Sequence, residues 1–266
     1  MAFESITSRK NRRIISVCAL SDKKERDGRG LFCAEGTKLI SELISENIMI
    51  RELYFTERAA EKYNGQISVC DGRGAECFLV TDEVYEKLTE EKNPEGILAV
   101  AEKPEVFSDI SETSGEGGFL VLDGVQNPLN AGTVIRTASA LGFSRILFGP
   151  GCADIFSRKA LRASMGTVFK VNICLSRDLC ADISRLKELG LVYAAALEPD
   201  SIDIRKTTFK KNDSFVLGNE GQGISPAILS LCDKKIIIPM QQNTESLNAA
   251  TAAAIIMWEM KKEYLS

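Results

Sequence analysis

The chain has 266 residues, of which 44% are hydrophobic and 26% are charged. This length exceeds that of most single domains and the composition is that of a globular protein, so we expect two domains with separate cores. The sequence contains no histidine, which excludes Ser-His-Asp and Cys-His catalysis.

The eight cysteines include no C-x-x-C pair. Without histidine ligands this set predicts free thiols in a reducing compartment and no metal site. The first ten residues lack the apolar core of a signal peptide, and the longest apolar run, residues 249–258, is too short to span a bilayer. We therefore expect a cytoplasmic protein.

The N-terminal segment differs in charge from the rest of the chain. The whole chain carries a net charge of −4, but residues 1–30 carry +4, which leaves −8 for the remainder. Four of these cations, Arg9, Lys10, Arg12 and Arg13, are candidates for contacts with RNA phosphates, because cations that neutralise phosphates release condensed counterions. The alternative is a solvated and partly disordered N-terminus.

The first hundred residues predict a small α/β unit. Residues 35–46 have the spacing of a helix, and residues 81–90 form a second helical stretch. Short apolar runs that predict strands lie at residues 50–55, 66–70, 77–80 and 97–101. After them the chain becomes acidic and rich in Ser and Gly. We therefore predict a first domain at 1–104, a linker at 105–118 and a second domain at 119–266.

The second domain alternates strands and helices, which predicts a parallel sheet covered on both faces. Its predicted strands are residues 119–122, 145–148, 168–173, 191–197, 214–218 and 235–239, and its clearest helices are residues 178–189 and 226–232.

Residues 119–143 form a predicted strand, polar loop and amphipathic helix. Val134, Ala138 and Leu141 fall on one helical face, with Asn130 near the start of the helix and Arg136 opposite the apolar stripe. Such a loop is where α/β proteins bind ligands, because N–H groups at a helix start are free. An ordinary strand-turn-helix would give the same pattern.

Two further loops follow predicted strands. Residues 216–224 contain three glycines and Glu220, which indicates a ligand close to bare backbone or else a tight turn with Glu220 in solvent. Residues 236–248 lead from an apolar strand to a helix rich in alanine. There Ser246 is explained equally well as a helix cap and Asn248 as an ordinary residue of the first turn.

Together these loops resemble the three motifs of the SpoU (TrmH) family of RNA 2′-O-ribose methyltransferases. The matching segments, in the family's order and spacing, are Asn130-x-Gly132-x-x-x-Arg136-x-Ala138, Leu217-Gly218-Asn219-Glu220-Gly221-x-Gly223, and Ile238-Pro239-Met240 followed by Ser246-Leu247-Asn248. Residues 159–166 resemble a segment of the rRNA-modifying members, and residues 6–11, 32–36 and 93–97 resemble their ribosomal-protein-like substrate-binding domain. Gln242 departs from the glycine that many relatives have in the third loop.

The resemblance implies methyl transfer from S-adenosylmethionine to a ribose 2′-hydroxyl, without a metal, through a cofactor loop that belongs to a deep trefoil knot. It assigns the cofactor contacts, largely through backbone groups, to Leu217, Gly218, Ile238 and Leu247. It assigns the reaction centre to Asn130, Arg136, Glu220, Ser246 and Asn248. A guanidinium stays protonated, so we interpret Arg136 as a positioning group, with the proton leaving to phosphate, water or Glu220.

The N-terminal domain favours large-subunit (23S) rRNA as the substrate. The alternatives are a tRNA methyltransferase and a non-catalytic RNA-binding protein on the same fold. Family resemblance also implies a homodimer through the second domain. The apolar helix at residues 247–264, with Ile255, Ile256, Met257 and Trp258 in succession, favours a dimer as well, although a helix buried wholly in its own domain is the alternative.

Overall fold

The computed structural model describes residues 3–241 and 246–264. It divides the chain into two compact units. The first unit consists of Met1–Pro104 and Phe156–Phe169, and the second of Glu105–Ile155 and Lys170–Ser266. Among the described residues, no helix is long and apolar enough to cross a membrane.

The first unit is built on a mixed five-stranded sheet with the order β1-β4-β3-β5-β2, in which β5 runs antiparallel to its two neighbours. Its strands are β1 (Glu4–Ile6), β2 (Leu31–Glu35), β3 (Ile50–Phe55), β4 (Glu76–Val80) and β5 (Ile97–Glu102). Its helices up to Pro104 are α1 (Arg12–Ala19), α2 (Lys23–Arg29), α3 (Thr37–Ser45), α4 (Glu57–Lys62), α5 (Asn64–Gly72) and α6 (Asp82–Leu88).

The second unit is built on a seven-stranded sheet, all parallel, with the order β10-β12-β9-β11-β6-β7-β8. Its strands are β6 (Leu120–Asp123), β7 (Arg145–Phe148), β8 (Asn172–Leu175), β9 (Val192–Ala195), β10 (Ile202–Asp203), β11 (Ser214–Gly218) and β12 (Lys234–Ile237). The helices after Pro104 are α7 (Pro128–Ala140), α8 (Arg158–Ser164), α9 (Leu179–Leu186), α10 (Pro226–Leu231) and α11 (Ala249–Lys261), of which α8 belongs to the first unit.

The predicted α/β class and the parallel sheet are confirmed. The strand predicted at residues 66–70 is wrong, because this run lies within α5. Ile67 and Cys70, three residues apart, share the buried face of that helix. The strand predicted at 168–173 is also misplaced. Thr167–Lys170 forms a short 3-10 helix, and β8 begins only at Asn172.

The segment Phe156–Phe169 packs with the first unit, although the sequence assigns it to the second domain. The Phe156 and Phe169 rings lie 5.4 Å and 5.8 Å from the ring of Phe32, centroid to centroid. Buried Arg158 donates to the Leu88 carbonyl, and its Nη1 lies 3.8 Å from Oε2 of Glu35. The resemblance found at residues 159–166 therefore corresponds to a segment anchored within the first unit.

The segment at 105–118, predicted as a linker, packs on the second unit. Phe107 pairs with Cys174 beside the edge strand β8, and Ile110 is buried in the core of this unit. The first part of this segment therefore packs on the second unit.

Candidate functional site

The three polar loops converge at one edge of the seven-stranded sheet. β6, β11 and β12 all run parallel, so the segments that follow them emerge at their common carboxyl edge. The first of these segments leads into α7 and the third into α11, and these two helices pack against each other.

A tight turn follows β11. Asn219 and Gly223 exchange backbone hydrogen bonds of 2.9 Å, and the Asn219 side chain accepts from the N–H groups of Gly221 and Gln222. A Cβ atom on Gly218 would lie 2.2 Å from the carbonyl carbon of Gly223. The backbone of this turn therefore leaves no space for a side chain at Gly218. The sequence analysis instead explained the glycines of this loop by a ligand close to the backbone.

Asn130, Glu220 and Asn248 form one hydrogen-bonded cluster across the three loops. Nδ2 of Asn130 donates to Oε1 of Glu220 at 2.9 Å, and Oδ1 of Asn130 accepts from Nδ2 of Asn248 at 3.0 Å. The Asn248 side chain also caps α11 by accepting from the N–H groups of Ala250 and Thr251. Asn130 is therefore fixed on both sides, and its amide orientation follows from its two partners.

Glu220 is held as a carboxylate. It also accepts from the backbone N–H groups of Gln126 at 3.2 Å and Asn127 at 3.1 Å, beside the start of α7. Burial alone would raise the pKa of this carboxyl, but the hydrogen bonds from Asn130 and from these backbone groups lower it below its usual value. Three N–H groups donate to this carboxylate, so its geometry fits an organising role better than proton abstraction.

A cavity of about 600 Å³ opens beside this cluster. Its walls include all four predicted cofactor residues, Leu217, Gly218, Ile238 and Leu247, and also Glu220, Ser246 and Asn248. Apolar side chains from β9, β12 and α11 complete the lining. The volume and the mixture of apolar wall, backbone groups and carboxylates suit a nucleoside ligand such as S-adenosylmethionine.

Arg136 lies outside the cluster. It is exposed on α7, and among the described residues it has no hydrogen-bond or ion-pair partner. It follows Asn130 by six residues, which places it about 240° around the helix and about 9 Å along it. One chain therefore brings together Asn130, Glu220, Ser246 and Asn248 but directs Arg136 elsewhere.

The N-terminal cations do not behave alike. Arg9, Lys10 and Arg12 are exposed, as a phosphate-binding surface requires. Arg13 instead stacks over the Phe78 ring at 4.6 Å and pairs with Glu52 at 3.3 Å and Glu76 at 2.9 Å. Its charge is already compensated by two carboxylates, which disfavours a further phosphate contact.

The sequence interpretation missed three groups that shape the site. Asn127 caps α7, Asp123 accepts from the N–H of Ser225 at 2.7 Å, and Asn219 organises the turn after β11. The Asn127-Pro128 pair, with proline at the first helical position, was the available signal for the cap. Gln242 lies outside the described residues. Within residues 3–241 and 246–264, no cluster of His, Cys, Asp or Glu suits a metal ion.

Comparison with known proteins gives matches over both units. Residues 118–258 match the SpoU rRNA Methylase family, and residues 11–99 match the MRM3-like substrate binding domain. The 23S rRNA (guanosine(2553)-2′-O)-methyltransferase RlmP of Bacillus subtilis (strain 168) is 30% identical over 259 residues, which are 97% of this chain and 99% of that protein.

Two solved structures share the fold over nearly their whole length. An AdoMet-bound rRNA methyltransferase from Sinorhizobium meliloti superimposes with a TM-score of 0.87 at 29% identity, covering 99% of both chains. The SpoU methyltransferase AviRb from Streptomyces viridochromogenes, in complex with AdoMet, superimposes with a TM-score of 0.82 at 25% identity, covering 96% of this chain and 98% of that one.

Proposed function

The chain belongs to the SpoU rRNA methylase family, and on this basis we propose that it transfers the methyl group of S-adenosylmethionine to a ribose 2′-hydroxyl of large-subunit rRNA. It is an S-adenosylmethionine-dependent RNA methyltransferase. The ribose assignment rests on the match to a 2′-O-methyltransferase, and the Asn130–Glu220–Asn248 cluster beside the cavity supports it. The similarity to methyltransferases with bound AdoMet disfavours a non-catalytic RNA-binding protein.

The residues of this chain supply positioning. S-adenosylmethionine brings an already reactive methyl group, so the protein has to align the hydroxyl with it and let a proton leave. The Glu220 carboxylate holds Asn130 and the start of α7 in place, and Asn130 in turn orients Asn248. The Glu220 carboxylate already accepts three N–H groups, so we assign the proton to water or to a phosphate oxygen of the RNA. The cofactor contacts are assigned to backbone groups of Leu217, Gly218, Ile238 and Leu247, with Ser246 beside the reacting hydroxyl.

The two domains divide the work. Residues 1–104 bind the rRNA, with Arg9, Lys10 and Arg12 at phosphates, and residues 119–266, apart from Phe156–Phe169, carry the cofactor and the chemistry. The match of residues 11–99 to a substrate-binding domain supports this division. The same match favours rRNA over tRNA as the substrate. An rRNA substrate in turn favours a cytoplasmic location. The trefoil knot stays a prediction of the family resemblance.

The working unit is a homodimer formed through the second domain, with Arg136 supplied to the reaction centre of the other subunit. The exposed position of Arg136 on α7, away from its own Asn130, supports this arrangement. Large apolar side chains are exposed on the same pair of helices: Leu129 is 50% exposed on α7, and Ile255 and Trp258 are 38% and 54% exposed on α11. An apolar surface of this kind is expected at a subunit interface.

Sedimentation at micromolar concentration tests the dimer. The Trp258→Glu variant should dissociate, whereas Leu189→Glu, at a comparably exposed leucine after α9, should not. A single species near the chain mass of 29.1 kDa for the unaltered protein would refute the dimer. Mixing Arg136→Ala chains with Ser246→Ala chains then tests the shared site. Activity recovered in the mixture would mean that the two residues serve one centre from different chains.

Mapping of 2′-O-methyl groups tests the substrate. The 23S rRNA from cells that lack this protein should lose one modification, and the unaltered chain should restore it while an Asn130→Ala chain should not. Loss of a methyl group from tRNA, with 23S rRNA unchanged, would assign the enzyme to tRNA instead.

A further inference from the structure

A group of cations lies at the amino edge of the seven-stranded sheet, opposite the cofactor cavity. Arg145 opens β7, Lys211 precedes β11, and Lys261 is the last residue of α11. The carboxyl edge, with the cavity, is about 13 Å away at roughly 3.3 Å per strand residue. None of the three cations takes part in the site described above.

Two of these cations rest on aromatic rings instead of carboxylates. Cζ of Arg145 lies 4.3 Å from the centre of the Phe119 ring, and Nζ of Lys261 lies 4.6 Å from the centre of the Phe143 ring. Within the described residues neither cation has an acidic partner, and Nε of Arg145 is buried without a hydrogen-bond acceptor. The rings therefore fix both cations in place while leaving N–H donors unused.

One glycine-rich loop brings the cations together. A Cβ atom on Gly115 would lie 3.9 Å from Cγ of Arg145, and one on Gly117 would lie 3.2 Å from Nζ of Lys261. These glycines are two residues apart, so the loop positions beside the aliphatic stem of Arg145 and beside Nζ of Lys261 are within about 7 Å of each other. The third cation, Lys211, pairs with Glu116 in the same loop, but that carboxylate side chain is 80% exposed and free to yield to another anion.

The arrangement is electrostatically unfavourable as it stands. Burial lowers the pKa of the Arg145 guanidinium, and burial together with the nearby charges of Lys211 and Arg145 lowers the pKa of the Lys261 ammonium. Half-buried like charges with unused donors repel one another unless an anion lies between them. A phosphate group has the charge and the acceptor oxygens that this cluster lacks.

We propose that Arg145, Lys211 and Lys261 form a phosphate-binding site at the amino edge of the sheet, and that it holds a phosphodiester of the RNA substrate. The choice of RNA over free phosphate rests on the proposed function and on the net charge of −4, which leaves this chain few surfaces that attract RNA. The site extends the RNA footprint beyond Arg9, Lys10 and Arg12 to the catalytic unit itself.

The test compares the salt dependence of RNA binding by the full chain and by Arg145→Gln, Lys261→Gln and the double variant. Each lost phosphate contact should reduce the slope of log affinity against log salt by about 0.7–0.9. Between about 50 and 200 mM salt, each contact therefore accounts for a roughly threefold loss of affinity. Lys234→Gln is the matched control. It removes an exposed charge at the amino end of β12, four strand positions or about 19 Å from β7.

A second arm separates the sources of phosphate. Inorganic phosphate should raise the melting temperature of the unaltered protein above that in sodium chloride of equal ionic strength, and the double variant should lose this rise. Arg145→Lys, which keeps the charge, should retain most of the salt slope. If Arg145→Gln folds poorly, Lys261→Gln at the end of α11 carries the comparison.

An unchanged salt slope in the double variant would overturn the RNA site, whatever free phosphate does. If the salt slope falls in the double variant while a phosphate-induced rise persists, free phosphate binds elsewhere and the RNA site is supported. Methyl transfer is measured separately on the same RNA. An RNA that binds with the expected slope but receives no methyl group would contradict the proposed function and leave this site supported.

Discussion

Replacing Asn130 by aspartate exchanges the side-chain nitrogen donor for an acceptor oxygen, which removes the hydrogen bond to Glu220. In the protein, Nδ2 of Asn130 donates to Oε1 of Glu220 at 2.9 Å. The Asn130→Asp variant keeps the shape and the acceptor for Asn248 but puts a second carboxylate against Glu220. We expect the two carboxyls to share one proton near neutral pH, because like charges at this distance cannot both remain ionised cheaply.

The magnitude follows from two limits. Two charges about 4 Å apart repel by about 4 kcal/mol at an effective dielectric constant of about 20, and the lost charge-assisted hydrogen bond adds about 1.5–3 kcal/mol. Protonating one carboxyl avoids most of this. Protonating a carboxyl with a reference pKa of about 4.3 costs about 4 kcal/mol at pH 7 but only about 1 kcal/mol at pH 5. Protonation costs less than the repulsion and the lost hydrogen bond together, so the protonated form is populated. The loss of stability should therefore be about 2–4 kcal/mol at pH 7 and should become smaller as the pH falls.

The sign of the pH dependence is therefore fixed. The shared proton gives the folded variant a raised pKa, so stability is retained at low pH and lost as the pH rises. Calorimetric melting should show a deficit of roughly 5–15 °C at pH 7 that narrows to a few degrees at pH 5. The control is Asn64→Asp at the exposed start of α5, where Asn64 acts as an acceptor for Ser68 and no donor is lost. A deficit that is equal at both pH values, or absent, would refute the cluster.

Three further outcomes are expected. Gly218→Ala should abolish S-adenosylmethionine binding in calorimetry, because its Cβ would lie 2.2 Å from loop backbone, whereas Gly221→Ala, with 3.6 Å of room, should bind normally; equal affinities would contradict the loop geometry. Changing Arg9, Lys10 and Arg12 together to glutamine should reduce the salt slope of RNA binding by about 2–3, and an unchanged slope would place the phosphate contacts elsewhere. EDTA should leave methyl transfer to prefolded RNA intact, and activity restored only by added metal would refute a metal-free site.

The phosphate contacts proposed for the N-terminus are better tested by substitution than by deletion. Deleting residues 1–13 would remove β1, whose Ile6 is buried in the first core, together with the start of α1. Such a deletion would confuse unfolding with lost phosphate contacts. Charge-neutralising substitutions at exposed positions keep the sheet intact and isolate the electrostatic effect.

Much of the second unit could be predicted from sequence because its strands are short apolar runs followed by polar loops. β7 and β11 were placed with the observed bounds for that reason. The run at 66–70 was predicted as a strand because it is short and apolar. Ile67 and Cys70 also share one face of a helix, which is the structure observed. The placement of Phe156–Phe169 in the first unit depends on long-range packing around Phe32, which no local pattern contains.

The candidate site shows the same limit. The residue types of the three loops were recognisable, but each had a local explanation until the structure joined them. Glu220 was compatible with solvent, yet it accepts three N–H groups from residues at least 90 positions away. Asn248, rather than Ser246, caps α11, and Asn248 also donates to Asn130. The position of Arg136 away from Asn130 follows from their six-residue spacing on α7, but its lack of a partner among the described residues required the structure.

Methyl transfer by the purified chain tests the central claim most directly. The protein is incubated with 23S rRNA and S-adenosylmethionine labelled in its methyl group, and the RNA is then hydrolysed in alkali. Because a 2′-O-methyl group blocks cleavage of the adjoining phosphodiester, the label should appear in an alkali-resistant dinucleotide, and the Asn130→Ala chain should produce none. Label recovered on a base in mononucleotides, or no label in any RNA offered, would contradict the account.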